Sequence, residues 1–157
     1  MIARSFTSGA GARVTGRSQQ ILALLDRFPP SLLQLMFRIA IAAVFWSSGL
    51  TKVASWATTV ALFRDEYKLP LLPPEVAAVT SATFELLCSA LIAMGLATRL
   101  ATLPLLGMTF VIEVFVYPEY WAMHLMWTAA LVLLLTKGPG VLSLDYYAER
   151  GFRMTRF

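Results

Sequence analysis

Arg38, Glu85, Glu113 and His124 lie inside runs of residues that are otherwise apolar. An ionisable side chain at the centre of a bilayer costs about 2.5–3.5 kcal/mol on insertion scales, so such groups turn inward and pair, or they serve a function. Two kinds of chemistry are open to them. One is an ionic core that fixes helix register. The other is a polar cavity that binds a small redox molecule such as a quinone, or passes protons. Glu113 and His124 suit the second role, because histidine is the side chain that exchanges protons near neutrality. Lys52 and Tyr117 stand at the ends of the same runs. The expected buried polar cluster is therefore Arg38, Lys52, Glu85, Glu113, Tyr117 and His124, and none of these is identified as catalytic. Depth along the runs groups Arg38 with Glu85, and Lys52 with Glu113 and His124. Phe45, Trp46, Tyr117, Trp121 and Trp127 are candidates for flat apolar walls, while Trp56, Tyr120 and Trp121 suit an interfacial belt.

Other chemistry is poorly served. Cys88 is the one cysteine and His124 the one histidine, so the chain has no intrachain disulfide and too few ligands for a structural zinc site. No metal is expected. Cys88 sits in apolar surroundings, where a thiol is unreactive. The chain has no phosphate loop, no dinucleotide fingerprint and no nucleophile elbow.

The elements that position these residues follow from composition. Of the 157 residues, 58% are hydrophobic and 14% charged, and the mean hydropathy is +0.69. A soluble domain carries about 25% charged residues, so a membrane protein is expected. Four apolar stretches approach the roughly 20 residues that cross a bilayer: 32–51, 76–96, 100–117 and 121–136. Their length and lack of alternation favour helices over barrel strands. Pro29–Pro30, Pro70, Pro73–Pro74, Pro118 and Gly138–Pro139–Gly140 punctuate them. The predicted fold is all-α, an integral membrane four-helix bundle. Between its first and second spans, Trp56, Val60, Phe63 and Tyr67 recur at helical spacing, which predicts an amphipathic helix in the outer interface.

The cations set the orientation. Four spans place Arg4, Arg13, Arg17, Arg27, Arg99, Lys137, Arg150, Arg153 and Arg156 on one side, against Lys52, Arg64 and Lys68 on the other. This excess puts both termini in the cytoplasm. The net charge of +4 is then directed at anionic lipid headgroups, and no nucleic acid is expected as a partner. The predicted organisation is a basic tail over 1–30, a four-span domain over 31–137 and a C-terminal tail over 138–157. Met1–Gln20 reads as loose tail without a cleavable signal, and Ile21–Phe28 as a short interfacial helix. Ser143 is a suitable N-cap for an amphipathic helix that follows it.

Three segments carry a family resemblance: RIAIAAVFWSSGLTK, FELLCSALIAMGLATRLATLPLLGM and GPGVLSLD. Together they resemble the DoxX family of small four-helix membrane proteins, over about residues 32–146. The matching positions are Arg38, Gly49, Lys52, Glu85, the Gly95–Arg99 turn, Gly138–Pro139–Gly140, Ser143 and Asp145. FRDEYKLPLLPPE and FVYPEYWAMHLMW are similar to a bacterial subset found beside peptide-modifying iron enzymes in clusters for metal-binding peptides.

The resemblance implies a multi-pass protein of the bacterial inner membrane. It also implies redox association, since the relative called DoxD is a subunit of thiosulfate:quinone oxidoreductase. The function expected is an accessory subunit of a redox or oxidative-stress system, facing quinone and a redox-enzyme partner subunit, rather than an independent enzyme. The alternative is a non-enzymatic membrane helper or transporter component, for example in a metal-binding peptide pathway.

Overall fold

The computed structural model describes residue 23, residues 27–70 and residues 72–154. The expected loose tail and most of the short helix expected over 21–28 lie outside the described residues. The described residues form helices and connecting turns, with no strand among them. Helix α1 spans Pro30–Ala54 and α2 spans Trp56–Leu62. A π-helical turn, Phe63–Tyr67, continues α2. Helix α3 spans Pro74–Met94. Helix α4 spans Thr98–Val111 and runs into a second π-helical turn, Ile112–Val116. After a 3₁₀ turn at Pro118–Tyr120, α5 spans Trp121–Lys137 and α6 spans Leu144–Met154.

Local chemistry explains the boundaries. Helices α1 and α3 both begin on a proline in the first helical position, after an extended proline. That residue has no N–H to leave unpaired and its φ is already helical. Helix α3 stops at Gly95, whose φ is +70°. Leu96 N–H donates to Leu91 at 2.9 Å and Gly95 N–H to Ile92 at 3.1 Å, the paired bonds of a Schellman stop. A side chain at Gly95 would also meet Arg38 and Ser143, at 2.6 and 2.5 Å from the added carbon. Ser143 does cap α6, its Oγ accepting from Tyr146 N–H at 3.3 Å.

Helices α1, α3 and α4 with its π turn (Thr98–Val116) are long and apolar enough to cross a membrane. Helix α5 is shorter, with 17 residues. The stretch predicted as one amphipathic helix is divided between α2 and the first π turn. Its Phe63 is buried against Ala77 and Ala78 of α3, with Val60 and Tyr67 packed alongside, whereas Trp56 is exposed.

The two ends of the bundle differ. Towards the end where α1 starts and α5 stops, Ile41, Phe45, Ile92, Leu105, Leu131 and Leu134 fill a buried core. Arg38 closes that end. It is only 2% exposed and donates to three main-chain carbonyls: Ala93 at 3.1 Å, Pro139 at 3.1 Å and Leu142 at 2.8 Å. Gln34, one turn earlier, donates to Gly138 at 3.2 Å. Asp145 completes the clasp. Its carboxylate accepts from the N–H groups of Ala97 and Thr98 at the start of α4, at 2.7 and 3.0 Å, and its own N–H donates to Gly95 at 2.8 Å. This end of α4 is therefore capped by a residue 47 positions away in sequence.

Hydrogen bonds from a charged donor contribute about 1.5–3 kcal/mol each, and buried carbonyls left without a donor cost more. Arg38→Gln should lower stability by about 3 kcal/mol, measured as a lowered unfolding midpoint in detergent, with Arg38→Lys between it and the wild type.

Candidate functional site

Glu85 lies on the face of α3 that meets α1, and it is 2% exposed. Gly49 sits opposite. A carbon added there would lie 2.8 Å from Leu86 Cγ and 3.2 Å from Glu85 Cβ, so the two helices approach closely at this level. Lys52, one turn beyond Gly49, folds back along the groove. Its Nζ donates to both carboxylate oxygens of Glu85 at 2.8 Å and to Ser48 Oγ at 2.8 Å. Ser48 Oγ lies 3.2 Å from Glu85 Oε1 and donates to it. The three protons of the ammonium are thus matched by three acceptors, and both charges are neutralised within one closed cluster.

This corrects the expected pairing of Arg38 with Glu85. The contact of Gly49 with Glu85 and Leu86 fixes the vertical register of α1 against α3. Arg38 is eleven residues from Gly49, about 16 Å along the helix at 1.5 Å per residue. It therefore meets the C-terminal turn of α3 at Ala93 and caps carbonyls. Lys52, expected beside Glu113 and His124, is instead the partner of Glu85.

Glu113 and His124 do meet. His124 Nδ1 and Glu113 Oε2 are 2.6 Å apart. The histidine is 3% exposed, and the glutamate is 34% exposed. Glu113 lies in the second π turn, where Tyr117 N–H bonds to Ile112 over five residues at 2.9 Å. Such a turn carries an extra residue relative to the α-helix and re-aims the side chains after it, a device common at functional sites. Tyr117 follows directly. Its hydroxyl donates to Glu66, and its ring stands edge-on to Tyr67 at 5.8 Å and to Tyr120 at 6.0 Å. The hydrogen bond to the Glu66 carboxylate, with some burial, holds the Tyr117 phenol above the usual tyrosine range.

Between these clusters the far half of the bundle is hollow. A cavity of about 700 Å³ is bounded by Ser48, Lys52 and Glu85 on one wall and by His124 on another. Phe45, Phe63, Tyr67, Phe84, Tyr117, Tyr120 and Trp127 supply flat surfaces. Trp46 and Trp121, expected among the walls, are exposed on the outside and do not line it. Trp127 links the two sides, with its ring 5.1 Å from His124 and 5.7 Å from Phe45. Thr80 and Ser81 also line the space. Their hydroxyls have no hydrogen-bond partner among the described residues, whereas Thr109 Oγ1 bonds back to its own helix at 2.8 Å. Arg38 and Glu113 do not line the cavity.

Several contributors escaped the sequence reading. Tyr67 falls on the face predicted for an interfacial helix, and no motif in the sequence points to Ser48, yet both line the cavity. Gly107, where an added carbon would meet nothing within 4 Å, marks open space that no residue pattern announces.

Comparison with known proteins adds one positive finding. A family model described as DoxX matches residues 33–118, more than half of the chain. No curated protein matches, and no solved structure does.

Groups that share a contact couple, and groups more than about 10 Å apart without shared partners add. In a double-mutant cycle, Lys52→Met and Glu85→Gln should be strongly non-additive in unfolding free energy. Arg38→Gln and Glu85→Gln should add to within about 0.5 kcal/mol. For Tyr117, the folded state favours the protonated phenol, so its contribution is present at ordinary pH and is lost only as pH rises through the elevated folded value. Phenolate absorbance of the wild type and of Tyr117→Phe should coincide past the usual tyrosine midpoint of about pH 10.

Proposed function

The chain belongs to the DoxX family of membrane proteins, and from that premise we propose that it is an accessory membrane subunit of a redox system whose cavity receives a ring of the quinone class. The observation that carries this reading is the cavity. About 700 Å³ falls within the range of small-molecule sites, which are apolar, aromatic-lined and furnished with a few placed polar groups. The Lys52–Glu85 pair is already closed on itself, so the wall selects for a neutral guest rather than an ion. Thr80, Ser81 and His124 offer hydrogen bonds to ring oxygens, and the aromatic walls suit a flat body. The polar groups on those walls distinguish a binding site from a packing defect, which would be lined by apolar atoms alone.

The accessory role rests on chemistry the chain lacks. A lone cysteine cannot form an intrachain dithiol pair, and in this reading a partner enzyme supplies the electrons. In this reading α5 is the fourth crossing. Its 17 residues rise about 26 Å at 1.5 Å per residue, and the 3₁₀ turn before it extends the reach towards a hydrocarbon thickness of about 30 Å. Both termini lie in the cytoplasm of a bacterial cell with the Arg38 clasp, and the cavity lies in the outer half. Helix α2 and its π turn roof the cavity at the outer interface.

The test is equilibrium binding of decylubiquinone to the full chain in lipid nanodiscs. Saturable binding in the micromolar range, about −8 kcal/mol, is expected. Gly107→Trp should weaken it at least tenfold while the unfolding midpoint holds, because the new side chain enters empty space. Binding that is absent, or unaffected by Gly107→Trp, would overturn the reading.

A further inference from the structure

The Glu113–His124 pair links the cavity to the surface of the bundle. His124 lines the cavity and is almost completely buried. Glu113 stands behind it, outside the lining, with a third of its side chain exposed. The imidazole ring separates them, with Nδ1 held by Glu113 Oε2 at 2.6 Å. Nε2 has no partner among the described residues. A carboxylate accepting from Nδ1–H fixes the tautomer that leaves Nε2 bare, so the nitrogen on the far edge of the ring is a free acceptor.

The other titratable groups around this cavity are committed or unsuited. Lys52 and Glu85 close on each other and on Ser48. The Tyr117 hydroxyl is given to Glu66. Tyr67 and Tyr120 line the same space and offer hydroxyl groups rather than a bare ring nitrogen.

We propose that His124 takes the proton of a ligand hydroxyl in the cavity and that Glu113 carries that proton out of the bundle. This rests on the cavity being a ligand site. In the step, the ligand O–H bond breaks as the His124 Nε2–H bond forms, while the Nδ1–H bond breaks as the Glu113 Oε2–H bond forms. The imidazole stays neutral throughout, so no imidazolium is stranded in apolar surroundings. Glu113, three residues before the end of the Thr98–Val116 span, then releases the proton at its exposed edge, on the headgroup side. No electron moves in this step, and the reverse sequence delivers a proton to a reduced ring. The substrate class this defines is a ring with an ionisable hydroxyl that changes charge when its proton leaves.

Two measurements on the full chain in nanodiscs test the proposal. His124 is the one histidine, so ¹⁵N-histidine NMR reads its ring alone. The ligand-free wild type should be protonated on Nδ1 and bare on Nε2, and Glu113→Leu should shift the ring to the Nε2–H form. A wild-type ring already protonated on Nε2 overturns the assignment whether or not any quinone binds.

The second probe is an alkyl 2-hydroxy-1,4-naphthoquinone, whose visible spectrum reports loss of its hydroxyl proton, studied where the free probe is protonated. Bound to the wild type it should show the deprotonated spectrum. Bound to Glu113→Gln or His124→Gln, the deprotonated fraction should fall at least tenfold with binding retained. Equal spectra in all three overturn the proton route. A probe that fails to bind the wild type overturns the ligand site itself, and the proton route with it.

Discussion

The structure depends on how one guanidinium is held inside a chain built for lipid, by three hydrogen bonds from its terminal nitrogens while Nε has no partner among the described residues. Arg38 is buried and has no carboxylate as its direct hydrogen-bond partner. It donates to three main-chain carbonyls from two places: the last turn of α3, and the Gly138–Ser143 segment that follows α5. The Ala93 carbonyl is one that the end of α3 leaves without an intrahelical donor, and those of Pro139 and Leu142 belong to the segment between α5 and α6. The same side chain therefore answers two problems, an expensive buried cation and an orphaned acceptor at the end of α3. Its presence imposes Gly95, since a side chain there would occupy the space of the guanidinium. It also brings Asp145 to the start of α4, where the carboxylate caps two N–H groups.

With that end closed, the polar residues of the other end divide into two separate clusters. Lys52, Glu85 and Ser48 form a unit whose charges cancel, while Glu113 and His124 form one that reaches from the cavity to the surface. Helices meeting through a packed core would have pressed these clusters together. Instead aromatic side chains stand around a void, and the roof of α2 and the first π turn is pinned by Phe63 against Ala77 and Ala78. Burial of apolar surface therefore stabilises the roof and the clasped end, whereas aromatic rings in edge-on contact with one another border the open middle of the far half.

Much of this was legible in the residues. Prolines and glycines mark where the helices begin and stop, because their effect on φ is local and independent of tertiary context. Of the ionisable residues expected to face inward, Arg38, Glu85 and His124 are buried, whereas Glu113 is a third exposed. The partners were harder to read. A helical stripe gives direction around an axis and says nothing about how far one helix has slid along another. That slide is set by the fit of the bare Gly49 backbone against the Leu86 side chain, and it pairs Glu85 with Lys52 rather than with Arg38. The π turns at Phe63–Tyr67 and Ile112–Val116 were illegible for a different reason. Their residues have ordinary helical composition, and the wider hydrogen bond arises from packing between the two turns and from the Tyr117–Glu66 contact. A void leaves even less trace, since it is made by residues that fail to touch.

The contrast between the clasped end and the hollow end has a mechanical consequence. Arg38 and Asp145 tie α1, α3, the start of α4 and the segment after α5 into one group, whereas the far end is tied in pairs, α1 to α3 by Lys52–Glu85 and the second π turn to α5 by Glu113–His124. Relative tilt of the helices is therefore resisted most at the clasped end.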